Sequence, residues 1–273
     1  MKTALVTGAD GGMGREICRS LLKDGYSLII ACLSTEAAMP FFEELRTQVS
    51  DQEVPPSIWL LQLDLASFAS VNAFASKIPV DTINRLVHNA GILPRHTRLT
   101  EDGYELISQI NYRAPLHLTS LLLPRLEKGA ETEDGARIIF TVSCTVYFGW
   151  FSRLRPSFLT RLPRNWAARV IRYGDTKRAL YHASLSLAEE LGKKNIMVYT
   201  TDPGAVNTPM LTMNNGLDKL VNAFFRPLLS TPAQGASTAV YLATETTLDE
   251  PSGTSFRKKR PRRFLIGKHV HYL

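Results

Sequence analysis

The sequence predicts an α/β fold: a single-domain, doubly wound, Rossmann-like parallel sheet with helices on both faces. Strand-like apolar runs alternate with amphipathic helix-like segments along the 273 residues, and this alternation is typical of parallel sheets. The strand-like runs are continuously apolar, as expected of strands that are buried on both faces. A glycine-rich turn at residues 7–14 separates the first strand from the first helix, where such sheets bind phosphate groups.

Each element has a signal of its own. Ile17, Leu21 and Leu22 recur at helical spacing after the first strand, Gly192 follows a strong helical pattern as a C-cap, and Pro232 opens the last helix. The predicted strands are 3–6, 27–32, 58–63, 85–88, 138–142 and 196–201. The predicted helices are 15–23, 35–49, 67–78, 104–126, 173–191 and 232–244.

We expect one domain over residues 1–273, because no linker rich in Pro, Gly or Ser divides the chain. Three segments depart from the alternation: a basic aromatic insertion at 146–172, an apolar substrate loop at 209–230 and a basic C-terminal tail at 251–273. The first two follow strand ends on the ligand side of the predicted sheet. We interpret the insertion as a lid over the substrate; the alternatives are a patch that touches a membrane and a packed surface element.

Composition excludes several classes of protein. No run of about 18 apolar residues could form a transmembrane helix. The three cysteines, Cys18, Cys32 and Cys144, lack the spacing of a zinc site or a disulfide framework, so we expect no metal. A strand pattern begins at once and leaves no room for a secretory signal. We therefore expect a cytoplasmic protein, with contact at the periphery of a membrane as the alternative.

The net charge is +7, and no acidic residue follows Glu250. The simplest interpretation of the basic tail is a solvated, disordered segment, although such a run can also attract anionic lipid, nucleic acid or an acidic partner. We expect no nucleic acid, because no recognition fold is evident.

Six separated motifs, in order, resemble the short-chain dehydrogenase/reductase family over about residues 1–244. They are the glycine turn with Gly8, Asp10, Gly11, Gly12, Met13 and Gly14; Asp64-Leu65; Asn89-Ala90-Gly91; Asn111; the Y-x-x-x-K pair Tyr173 and Lys177; and Pro203, Gly204, Val206 and Thr208. The resemblance implies that these residues bind a dinucleotide or act beside it. The long insertion and the segment at 228–236 are similar to retinol-dehydrogenase-like members, which implies a lipophilic substrate.

The same motifs predict the chemistry. Tyr173 is the candidate acid or base, and Lys177, one helical turn later, should lower its pKa. Arg137 and Gly149 bracket Ser143 at the family's spacing, which identifies Ser143 rather than Cys144 as the hydroxyl that holds the substrate oxygen. The resemblance implies that Lys177 also binds the nicotinamide ribose and that Asn111 anchors a water that relays protons.

The cofactor is predicted as NADP in preference to NAD. NAD-binding relatives usually carry an acid at the end of the second strand, whereas this chain has Cys32 and then Leu33. Arg15 or Ser34 are the candidates to reach a 2′-phosphate.

The predicted function is an NAD(P)-dependent oxidoreductase that interconverts a carbonyl and an alcohol on a lipophilic small molecule. The alternative is a catalytically weak NADP(H)-binding scaffold or sensor whose basic tail binds a partner. The family resemblance also implies a homodimer or homotetramer.

Overall fold

Eight strands form one sheet in the computed structural model, which describes residues 2–150, 159–206, 230–262 and 264. The strands are β1 (Thr3–Thr7), β2 (Ser27–Cys32), β3 (Ile58–Gln62), β4 (Arg85–His88), β5 (Ala136–Thr141), β6 (Ile196–Thr201), β7 (Ser255–Arg257) and β8 (Arg260–Arg262). Their order is β3-β2-β1-β4-β5-β6-β7-β8. The first seven are parallel, and β8 pairs with β7 in the antiparallel sense.

Helices connect the strands. They are α1 (Gly12–Lys23), α2 (Thr35–Val49), α3 (Phe68–Ser76), α4 (Leu106–Ser108), a π-helical segment (Gln109–Arg113), α5 (Ala114–Ala130), a 3-10 segment (Cys144–Trp150), α6 (Trp166–Gly192) and α7 (Pro232–Thr244). Alternate residues of β1 face opposite sides of the sheet. Leu5 belongs to a buried cluster with α3, α5 and α6, and Val6 to one with α1, α2 and α7. This confirms the predicted doubly wound sheet.

Side-chain caps fix where several helices begin. The Ser34 hydroxyl accepts from the Ala37 N–H at the start of α2, and the Ser67 hydroxyl accepts from the Ser70 N–H at the start of α3. Ser67, and not Asp64, is therefore the N-cap of α3. Helix α7 starts with a complete capping box between Thr231 and Gln234.

Three parts of the predicted pattern differ from the structure. Helix α6 begins at Trp166, so the last part of the insertion is helical; its cap, Asn165, accepts from the Ala168 N–H. The single helix predicted over 104–126 is divided by the π segment. Strands β7 and β8 lie within the predicted tail, so a solvated, disordered tail is wrong for residues 255–262. Residues 151–158, 207–229, 263 and 265–273 lie outside the described residues, so the lid and substrate loop stay predictions.

Candidate active site

The turn between β1 and α1 requires glycine at two positions. Gly8 has a φ of +59°, in the left-handed region that glycine adopts without steric cost. A Cβ on Gly14 would overlap the Gly8 carbonyl oxygen, so the first turn of α1 packs directly on the loop. No side chain caps α1 at Gly11. The first N–H groups of the helix can therefore face an anion, as in other phosphate-binding turns.

Asn89, just after β4, braces this turn. Its Nδ2 donates to the carbonyl oxygens of Thr7 at 3.1 Å and Gly8 at 3.0 Å. The backbone N–H groups of Asn89 and Ala90 both donate to the Thr7 hydroxyl at 3.1 Å. The N-A-G motif thus keeps the shape of the glycine turn from the neighbouring strand.

A cavity of about 530 Å³ lies over the carboxyl ends of β1 to β4. Eleven of the residues predicted to bind a cofactor line it: Gly8, Asp10, Gly11, Gly12, Met13, Leu33, Asp64, Leu65, Asn89, Ala90 and Gly91. The N-terminus of α1 is uncapped, and the glycines of the turn let a ligand approach the backbone closely. Together with the lining residues, these features fit a dinucleotide whose pyrophosphate lies at the N-terminus of α1. We refer to this space as the dinucleotide cavity.

Sequence reasoning missed part of the wall. Ala31, Leu63, Ile92, Leu93, Pro94 and Ile110 also line the dinucleotide cavity. The signal was available, because Ile92, Leu93 and Pro94 directly follow the N-A-G motif and the other three adjoin strand ends or Asn111. These residues were missed because they are apolar, and apolar residues at strand ends more often pack in the hydrophobic core than line a binding site.

The other predicted cofactor residues lie elsewhere. Pro203 and Gly204 line a separate recess beside α7, and Val206 packs closely against Gly235 of that helix. Gly14 does not line the dinucleotide cavity; it supports the phosphate-binding turn by packing closely on Gly8. Thr208 lies outside the described residues.

Asn111 is held rigidly in the π segment. Its side chain is fully buried; Nδ2 donates to the Ile92 carbonyl at 2.9 Å and Oδ1 accepts from the Ile92 N–H at 2.8 Å. Nδ2 also lies 3.5 Å from the Thr176 hydroxyl. Asn111 therefore connects the cavity wall to α6 one residue before Lys177, and π bulges are frequent at such functional positions.

The Lys177 ammonium lies close to Gly91, which lines the dinucleotide cavity. The Lys177 Nζ and the Asn111 Oδ1 both lie close to Gly91: a Cβ added to Gly91 would be 3.2 Å from the first and 3.4 Å from the second. The Nζ donates to the Thr141 carbonyl at 2.8 Å, at the end of β5. Burial lowers the pKa of Lys177 to about 8, because desolvation penalises the ammonium.

Ser143 and Tyr173 meet beside this lysine. The Ser143 hydroxyl, just after β5, lies near enough to the Tyr173 phenol to favour a lower pKa, and the Lys177 Nζ lies 5.6 Å from the centre of the Tyr173 ring. Burial raises the pKa of Tyr173 to about 12, although the Ser143 hydroxyl opposes that rise. The predicted lowering of this pKa is therefore wrong for this structure, where desolvation is the largest cause of the shift.

The structure therefore brings Ser143, Tyr173, Lys177 and Asn111 together, and Lys177 and Asn111 lie against Gly91 of the dinucleotide cavity wall. Such a group can protonate or deprotonate an oxygen that is placed against the phenol. Among the described residues, no group of three or more His, Cys, Asp or Glu side chains could hold a metal ion.

Comparison with known proteins identifies the family. The short chain dehydrogenase family matches residues 2–153, which is more than half of the 273 residues. The chain belongs to the short-chain dehydrogenase/reductase family. As a member it is an NAD(P)-dependent oxidoreductase with a Rossmann-like fold, and the resemblance seen in its sequence is confirmed.

The relatives of this short-chain dehydrogenase include enzymes named for two alcohols. It is 33% identical to the polyprenol dehydrogenase of Danio rerio, over 92% of this chain and 76% of that protein. It is 29% identical to retinol dehydrogenase 12 of Mus musculus, over 93% of this chain and 77% of that protein. The predicted likeness to retinol dehydrogenases is thus confirmed at the level of distant homologues.

A solved structure supports the fold alone. The short chain dehydrogenase from Burkholderia cenocepacia, crystallised in complex with NADP, superposes with a TM-score of 0.69 at 22% identity. The match covers 94% of this chain and 95% of that one. In the part of this chain that the structure describes, no helix is long and apolar enough to cross a bilayer.

Proposed function

We propose that this oxidoreductase interconverts a carbonyl and an alcohol on a lipophilic small molecule, with Tyr173 as the acid or base. The observation that supports it is the meeting of Ser143, Tyr173 and Lys177, with the Lys177 ammonium against Gly91 of the dinucleotide cavity wall. Each of these residues would be ordinary alone, but their convergence beside a phosphate-binding turn is what proton transfer during hydride transfer requires.

Each residue has a separate role in the transfer of the proton. In reduction, the Tyr173 hydroxyl gives its proton to the carbonyl oxygen, and in oxidation the phenolate takes the proton from the alcohol. The Ser143 hydroxyl, beside Tyr173, donates to the same substrate oxygen and fixes its position. Lys177 stabilises the phenolate, and Asn111 holds the cavity wall beside it. The nicotinamide, when bound, supplies or accepts the hydride.

The lipophilic substrate class is supported by the names of the relatives, since retinol and polyprenol are both lipophilic alcohols. The expected substrate loop and lid would provide the selectivity. A homodimer or homotetramer and contact with a membrane stay predictions.

A Tyr173→Phe variant tests the assignment. It removes only the hydroxyl, so turnover of a ketone and aldehyde panel should fall by roughly 10²–10⁴-fold, while titration of nicotinamide fluorescence should give unchanged cofactor affinity. Full activity in this variant would show that another group moves the proton. Tyr241→Phe, on α7 and outside the site, is the matched control and should keep its turnover.

We also propose that NADP is preferred over NAD. The end of β2 lacks the acid that would bind a ribose 2′-hydroxyl and repel a 2′-phosphate: Cys32 and the exposed Leu33 stand there. The Arg15 guanidinium lies beside the phosphate turn, donating to the Asp10 carbonyl at 2.9 Å. Ser34 is less suited, because its hydroxyl already caps α2 and donates to Glu36.

Substituting Leu33 tests this preference. Leu33→Asp places a carboxylate on the cavity wall, so kcat/KM with NADPH should fall about tenfold or more, while the value with NADH holds or improves. Leu33→Asn is the uncharged control and should change the ratio little. A wild-type enzyme that already favours NADH would refute the preference while leaving the role of Tyr173 intact.

A further inference from the structure

A second recess lies between the β7–β8 turn and α7. Its volume is about 780 Å³. It is lined by Asp202, Pro203, Gly204, Ala205, Ser230, Ala233, Gln234, Ser237, Thr238, Arg257, Lys258 and Lys259. None of these residues lines the dinucleotide cavity, although Pro203 and Gly204 belong to the motif predicted to bind the dinucleotide.

The recess is positively charged. Arg257, Lys258 and Lys259 are consecutive on its wall, and no ion pair involves the exposed Lys258 or Lys259 within the described parts of the chain. Asp202 is the acid on the described lining, and it is neutralised. Its carboxylate is fully buried and lies 2.6 Å from Arg262 and 3.7 Å from Arg257.

The two lysines occupy backbone positions that do not suit them. Lys258 has a φ of +51° and Lys259 a φ of +60°, and a two-residue hairpin turn with positive φ at both positions favours Asn-Gly. A residue with a Cβ costs roughly 1–2 kcal/mol more than glycine in this region. The sequence therefore keeps two ammonium groups beside the recess where uncharged residues would give a more stable turn. Such strained residues cluster at ligand sites.

We propose that this recess binds a phosphate group, held by the Arg257 guanidinium and the ammonium groups of Lys258 and Lys259. Guanidinium and ammonium groups form charge-assisted hydrogen bonds with phosphate oxygens. The phosphate would come either from the headgroup of an anionic phospholipid or from a soluble phosphate ester. This site goes beyond the proposed function, because no step of the carbonyl–alcohol reaction uses it.

The decisive variant is Lys258→Asn with Lys259→Gly. It removes both ammonium groups and supplies the pair that the turn favours, so loss of folding cannot explain loss of binding: the thermal midpoint should stay the same or rise. The control is Lys23→Gln with Lys77→Gln. These exposed lysines end α1 and cap the end of α3, neither lines the recess, and their loss removes the same charge.

The full chain would be assayed with two probes. Flotation with phosphatidylcholine vesicles, with and without phosphatidic acid, tests the lipid source; inorganic phosphate, followed by thermal shift, tests the soluble source. Binding to phosphatidic acid vesicles should weaken about thirtyfold in the turn variant, at about 1 kcal/mol per cation near an anionic surface. It should also weaken with added salt. Binding of inorganic phosphate that the turn variant loses assigns the recess to a soluble ester.

Three results would overturn the site. The first is equal binding of both probes by the wild type and the turn variant. The second is a loss of binding in the control variant as large as that in the turn variant. The third is binding of the wild type to a DNA duplex as tight as to the vesicles, which would mean attraction to any polyanion. Turnover of the Tyr173→Phe enzyme is a separate readout. That variant should bind both probes as wild type does, so failure of the recess and failure of the proposed function are distinguishable.

Discussion

Burial of the Lys177 ammonium lowers the stability of the folded protein, because the charge is removed from water. Lys177 is 2% exposed and has one hydrogen bond, to the Thr141 carbonyl. Burial lowers its pKa from the ordinary 10.5 to about 8, and each unit corresponds to about 1.4 kcal/mol between the two protonation states. The charge is therefore a local destabilising feature, and the proposed mechanism uses it.

We expect Lys177→Met to be more stable than wild type and inactive. Losing the desolvation cost, less the hydrogen bond to Thr141, should raise the free energy of unfolding by about 1–3 kcal/mol at pH 7. Between pH 8 and pH 10.5 the unfolded lysine binds more protons than the folded one. Wild-type stability should then rise with pH, and its deficit relative to the variant should shrink. Urea melts at several pH values measure this, and a destabilised variant would contradict it.

At the residue scale, the sequence predicted the members of the site better than their electrostatics. Ser143, Tyr173, Lys177 and Asn111 were predicted from motif spacing, and they meet. The direction of the pKa shift at Tyr173 was wrong, because spacing places the ammonium but not the depth of burial. Desolvation depends on the whole surrounding structure, which no local pattern carries.

At the element scale, a buried ionic network joins the two helices that carry the site. Glu105 is fully buried and caps α4, accepting from the N–H groups of Ile107 at 3.1 Å and Ser108 at 3.0 Å. Its carboxylate lies 3.7 Å from the guanidinium of Arg172, the residue before Tyr173. Arg172 also donates to the Arg161 carbonyl at 2.9 Å. The network thus links the start of the Asn111 helix to the turn of α6 that presents Tyr173.

We expect Arg172→Met to lose both stability and turnover. Breaking a buried pair from one side leaves a buried carboxylate uncompensated and should cost about 3–5 kcal/mol. A small displacement of Tyr173 should lower kcat by roughly tenfold or more while the cofactor affinity holds. The double variant Arg172→Met with Glu105→Gln, which removes the charge but keeps an oxygen to cap α4, should recover much of the stability but not the turnover. Equal recovery of both would show a purely structural role.

The exposed pair between Lys194 and Glu127 provides the control for this prediction. Lys194→Met should cost under about 1 kcal/mol and leave kcat unchanged.

Elements were predictable where burial on both faces left a continuous apolar run. Strands β2, β4 and β6 begin and end at the predicted residues. Strands β7 and β8 could not be predicted, since Ser255–Arg257 and Arg260–Arg262 hold one apolar side chain and one proline between them. The π segment was also missed, because it shifts the helical pattern by a single residue. Pairing with β6, and not local preference, makes β7 a strand.

At the scale of the whole molecule, α7 connects the centre of the sheet to the phosphate turn. At its C-terminal end, Arg137 of β5 donates to the carbonyls of Leu242 at 2.9 Å, Glu245 at 2.6 Å and Thr246 at 3.0 Å. Arg85 of β4 donates to Ala243 at 2.6 Å. These cations satisfy carbonyls that a helix end leaves without partners.

The other end of α7 lies against the glycine turn. A Cβ on Gly12 would stand 3.3 Å from the Pro232 ring, and one on Gly235 would overlap Met13 and Val206. Because a helix is stiff, we infer that the buried arginines at one end set where the other end supports the dinucleotide site.

We therefore expect Arg137→Met to affect folding and cofactor affinity together. The buried Leu242 carbonyl and two partly buried carbonyls lose their donor, and a buried unsatisfied group costs about 1–3 kcal/mol, so the free energy of unfolding should fall by at least about 1–3 kcal/mol in urea melts. Affinity for the dinucleotide should fall severalfold, although Arg137 lies at the opposite end of α7 from the glycine turn. Saturating cofactor should restore part of the stability, because it binds only the folded state. Arg46→Met, on the exposed face of α2, should change neither quantity. Lost stability with unchanged cofactor affinity would show that the two ends of α7 act independently.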